Sequence, residues 1–132
     1  MFELTRDRKY LDHLRAIAST VLQFRNDHHP GDDFPGRDNP VCIDCRPPFV
    51  DHERGKVEPA WNSGTHWDWV DDGGLSPVDA VVTGLYGYAV AAFARIVAED
   101  PSLQAAYGAD AMTYANETLR TLWAFMSTGG AA

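Results

Sequence analysis

The stretch SPVDAVVTGLYGYAVAAFARIVAED, residues 76–100, decides the fold class. Ser76 is a helix cap, Pro77 suits the first helical position, and Asp79 sits three residues after the cap as in a capping box. Asp100-Pro101 stops the helix, because the residue before a proline avoids helical backbone. The signals predict a helix over 77–99. Val78, Val82, Leu85, Ala89, Phe93 and Ile96 form one apolar row, and Tyr86, Val90 and Val97 a second. A third row is made of small residues: Ala80, Gly84, Gly87, Ala91, Ala94 and Ala98. Each glycine inside a helix costs roughly 1 kcal/mol relative to alanine. Close approach of another helix or backbone would account for that cost. A helix apolar on most sides is expected to be buried on most sides. Residues 80–94 carry no charge, but a membrane span needs about 20 apolar residues. Asp79 and Arg95 bracket the run, so the expectation is a core helix with no membrane partner.

Working outward, Thr5 can cap a first helix over 6–25. Its stripe is Tyr10, Leu11, Leu14, Ile17, Ala18, Val21, Leu22 and Phe24, with His13 at its edge. After Pro101, Ser102 can cap a short turn over 103–107 that Gly108 ends. A last helix over 109–127 carries the stripe Met112, Ala115, Leu119, Leu122, Trp123 and Met126. The fold class is therefore mainly α: three to four helices arranged as helical hairpins, joined by a long connector over 25–76. At 132 residues the chain is one helical domain or a piece of a larger one. Three helices have difficulty surrounding the second on all sides: the 52-residue connector can cover part of it, and otherwise self-association or packing within a larger protein is expected.

The run Gly84–Val97, followed by Asp100-Pro101-Ser102-Leu103, Ala106-Tyr107-Gly108 and the helix containing Tyr114, resembles the six-hairpin, α/α-toroid proteins. These include glycosidases, polysaccharide lyases and uronyl epimerases. The resemblance implies a repeated unit of inner helix, Asp-Pro turn and outer helix, with loops at one end of the toroid holding sugars. It covers residues 76–127, with 7–25 as one further helix. A full toroid has about twelve helices and on the order of 300 residues at ordinary helix and loop lengths, so the resemblance makes this chain a partial toroid. No motif with a defined catalytic acid is matched, and no catalytic residue is carried over.

The connector concentrates the chemistry. Residues 25–76 hold four of the five histidines, both cysteines, three of the four tryptophans and 11 of the 19 carboxylates. Six of the eight units of net negative charge lie there. A surface of that sign repels nucleic acid and anionic lipid. Phe34, Phe49, Trp61, Trp67 and Trp69 supply apolar area that a disordered linker lacks. Phe49–His52 and Lys56–Glu58 flank Glu53-Arg54-Gly55 as a small β-hairpin would. The densest group is Trp61, Asn62, His66, Trp67, Asp68, Trp69, Asp71 and Asp72. Indoles stack on the apolar faces of sugar rings while carboxylates and amides bind hydroxyls. Trp67 and Trp69 also suit plugging the end of a helical bundle with the aspartates facing water, and Asp71-Asp72 with Gly73-Gly74 also suits a plain turn.

Cys42-x-x-Cys45 with His52 and His66 offers two thiolates and two imidazoles, the ligand types of tetrahedral zinc. The spacing matches no standard finger, and free thiols or a disulfide fit it as well. Three functions follow in order: a carbohydrate-binding or carbohydrate-active helical protein, a small zinc-stabilised or redox module, and a helical assembly protein without catalysis. The expected ligand is a carbohydrate or another small polar molecule, with no obligatory cofactor. The start, Met1-Phe2-Glu3-Leu4-Thr5-Arg6, lacks a basic leader before an apolar run, which predicts a cytoplasmic chain.

Overall fold

The computed structural model describes residues 1–25, 27–28, 50–51, 56–61 and 80–129. The protein is mainly α. In chain order the elements are α1 (Phe2–Thr5), α2 (Arg8–Gln23), β1 (Val50–Asp51), β2 (Lys56–Val57), α3 (Ala80–Ala98), a 3-10 turn (Pro101–Leu103) and α4 (Gln104–Gly129). They fall into two compact units, Met1–Leu22 with Leu85–Ala132, and Gln23–Gly84.

The first unit is built on aromatic packing. Phe93 of α3 is fully buried. Its ring meets Tyr107 and Tyr114 of α4 edge-on, at centroid distances of 6.0 and 5.4 Å. Val90, Val97 and Leu103 complete this core, with Leu11, Ala18 and Leu22 buried on α2. The α2 stripe is narrower than its hydropathy predicts: Ile17 and Phe24 are exposed, and so is His13. Polar ties join α2 to α4. The Tyr107 hydroxyl donates to Asp12 at 2.8 Å, and the Arg15 guanidinium lies 5.0 Å from the Tyr107 ring centroid. Burial, reinforced by the bond to Asp12, pushes the Tyr107 hydroxyl above its ordinary range. Tyr107→Phe keeps the ring and removes this bond, whose acceptor is half-exposed. The expected loss is about 1 kcal/mol, read from the urea midpoint at unchanged slope.

Of the boundaries that differ from the sequence expectation, two have a clear physical reason. Helix α2 starts at Arg8 and not at Arg6, because Arg6 adopts the left-handed conformation, φ 59°. That conformation closes the one-turn helix α1, with the Arg6 N–H bonding back to the Phe2 carbonyl. Asp7, not Thr5, then caps α2 by accepting the Lys9 N–H at 3.0 Å. The left-handed strain at a non-glycine residue is offset by the Arg6 side chain, which stacks on Phe2 and pairs with Asp100.

The second difference is at Gly108. The sequence places a break there, yet α4 runs unbroken through it. Tyr107 and Ala111, on either side, are both buried. Their packing outweighs a helix penalty of roughly 1 kcal/mol for the glycine. Asp100-Pro101 ends α3 as expected, but the turn that follows is capped by Asp100 and not by Ser102, and it closes at Leu103. Asp100 accepts from the Ser102 N–H at 2.9 Å and from its hydroxyl at 2.6 Å, and Pro101 opens the 3-10 turn. The Gln104 amide donates to the Val97 carbonyl at 2.6 Å, satisfying an acceptor at the end of α3.

Hydrogen bonds from Ser102 and Arg6 hold the Asp100 carboxyl below its ordinary value of 3.8, and the Lys9 N–H does the same for Asp7. A carboxyl with a depressed folded-state pKa contributes stability that is present above the unfolded value and lost as pH falls through the folded one. Thermal midpoints should therefore drop as pH falls below about 4. Asp100→Asn keeps an acceptor oxygen but no longer titrates, so its midpoint should fall less steeply over the same window.

In the second unit, β1 and β2 pair antiparallel with Val50 opposite Val57 and Asp51 opposite Lys56. This is the small hairpin expected around Glu53-Arg54-Gly55, whose turn lies outside the described residues. So do Ser76, Pro77 and Asp79, the expected start of α3.

Candidate functional site

Trp61 is the one member of the Trp- and Asp-rich group among the described residues. It is 4% exposed. The Thr83 hydroxyl accepts the Trp61 N–H at 3.1 Å and donates to the Trp61 carbonyl at 2.9 Å. One side chain on the first turns of α3 thus satisfies both backbone groups of Trp61. Arg25 is fully buried and its guanidinium lies 6.0 Å from the indole centroid. Asp27 takes two bonds from Arg25, at 2.6 and 2.9 Å, and the His28 ring nitrogen lies 2.9 Å from the same guanidinium. Held this way, Trp61 is packed as a structural anchor. Its indole offers no open face for a sugar, which departs from the stacking role its sequence context suggests.

Asn62, His66, Trp67, Asp68, Trp69, Asp71 and Asp72 lie outside the described residues, as do Cys42, Cys45 and His52. Among the described residues no group of three or more His, Cys, Asp or Glu side chains converges on a point that could hold a metal ion.

The described surface shows a different feature, an apolar face on each long helix. On α4 the buried positions are Tyr107, Ala111, Tyr114, Thr121 and Ala124. The stripe expected to be buried points the other way: Met112, Leu119, Leu122 and Trp123 are exposed. The reason is Phe93. Its partners on α4 are two tyrosines, whose polar tips reach Asp12 and the Arg15 carbonyl. Hydropathy ranks tyrosine, alanine and threonine below leucine and methionine, so counting apolar residues selects the wrong face. At 3.6 residues per turn, Met112, Leu119 and Trp123 lie about 140° around α4 from the buried row.

Helix α3 repeats the pattern. Val90, Phe93 and Val97 are buried, whereas Val81, Leu85 and Tyr88 form a row about 140° away. The six outward residues of the two helices are each between 62% and 72% exposed. Burial of α3 on most sides, expected from its composition, therefore holds only for its C-terminal half. Gly84 lies in the exposed part, and among the described residues no heavy atom comes within 4 Å of a Cβ placed there. The close neighbour expected at this glycine is not found within the described chain. By length and composition alone, the 18 residues Val81–Ala98, of mean hydropathy 1.6, would suffice to cross a membrane. The window includes Arg95, which pairs with Glu3 at 3.2 Å and Glu99 at 2.9 Å. Hydrogen bonding and attraction from Glu3, then attraction from Glu99, raise the Arg95 pKa further above its ordinary value.

Compared with protein-family models, curated proteins and solved structures, the chain matches none.

Proposed function

We propose that this chain is a helical-hairpin unit of the α/α-toroid kind, which works when further helical hairpins cover the outward faces of α3 and α4. In that assembly the Trp- and Asp-rich segment over 61–72 serves carbohydrate binding. The observation that carries the reading is the double-sided apolarity of both helices. A helix at the surface of a finished domain needs one apolar stripe; a helix in a middle layer needs two. The Asp100-Pro101 turn between the two helices has the form that the toroid resemblance implies. Support for the carbohydrate part comes from residue types: indoles beside carboxylates and an amide at Asn62, His66, Trp67, Asp68, Trp69, Asp71 and Asp72. With Trp61 packed inward, Trp67 and Trp69 carry the stacking role in this reading.

In a preparation of this chain alone, the covering hairpins are other copies. Sedimentation velocity is expected to show association that grows with concentration, and melting should rise with it. Leu85→Glu and Trp123→Glu each place a charge on an outward face. Surface changes of this kind alter monomer stability by only about 0.5 kcal/mol, so both variants should fold and remain monomeric. A wild type that stays monomeric at high concentration and melts like both variants would overturn the assembly reading. The carbohydrate part has its own test, quenching of tryptophan fluorescence by oligosaccharides and uronic acids. Silence across a broad panel with the assembled protein removes it.

A further inference from the structure

We draw no further inference here: the strongest candidate, the cluster of Asp27 and His28 around the buried Arg25 beside Trp61, is accounted for by its own ion pair and ring contact, and nothing among the described residues points to a ligand there.

Discussion

Replacing Phe93 by alanine is expected to lower stability by about 3–5 kcal/mol, the usual cost of truncating a buried phenylalanine. Phe93 is fully buried, and two tyrosines of α4 meet its ring edge-on. Truncation removes the transfer energy of the ring and leaves a cavity that the tyrosines cannot close, because their hydroxyls are tied to Asp12 and to the Arg15 carbonyl. Small domains have only about 5–15 kcal/mol in total, so the urea midpoint should fall steeply. Phe93→Leu separates the two contributions. It keeps most of the volume and loses the edge-on contacts, at about 0.5–1.5 kcal/mol each. Chemical denaturation followed by circular dichroism reads both variants. An alanine variant within about 1 kcal/mol of wild type, below the range for a buried ring, would show that Phe93 does not hold α3 and α4 together.

The second large effect is expected at Arg25. Its side chain is fully buried, while Asp27 retains slight exposure. Removing one partner of a buried ion pair costs about 3–5 kcal/mol, because the remaining charge is left in a poor solvent. Asp27 keeps some contact with water, so Arg25→Met should fall at the lower end, about 3 kcal/mol. Methionine preserves apolar volume against Trp61, which isolates the lost charge from lost packing. The double variant Arg25→Met with Asp27→Leu removes both charges and should recover part of the loss, giving a coupling of about 0.5–3 kcal/mol in a double-mutant cycle. Additive losses from the two single variants would show that the two side chains do not act as a pair. The exposed pairs Arg120–Glu117 and Arg95–Glu99 are the contrast. Surface pairs contribute at most about 1 kcal/mol and weaken with salt, whereas the Arg25 effect should persist at high ionic strength.

Much of the helical frame is legible before folding. The apolar rows of residues 80–98 and the Asp100-Pro101 stop predict α3 and its end. Val50–Asp51 and Lys56–Val57 read as a small hairpin and pair as one. The misses share a cause. At Arg6 and Gly108, local propensity points to a boundary or its absence, and packing decides otherwise. Arg6 takes a left-handed backbone where its N–H closes α1 on the Phe2 carbonyl and its guanidinium reaches Asp100, 94 positions away in sequence. Gly108 stays helical because Tyr107 and Ala111 are buried on either side of it. For the candidate site less was legible. The residue types over 61–72 raise the expectation on which the proposed sugar binding rests, but the packing of Trp61 depends on Thr83 and Arg25, which no local pattern connects to it.

Composition and periodicity by themselves determined that this is a helical protein with an aromatic, acidic connector, since those properties follow from near-neighbour spacing along one chain. They also marked α3 as carrying more apolar surface than three helices readily cover; that α4 does so too was visible only in the fold. Which side of each helix turns inward was left to the tertiary structure. On α4 the inward side belongs to Tyr107 and Tyr114, because a buried tyrosine needs both an apolar wall and a polar acceptor, and Phe93 together with Asp12 and Arg15 supplies them at once.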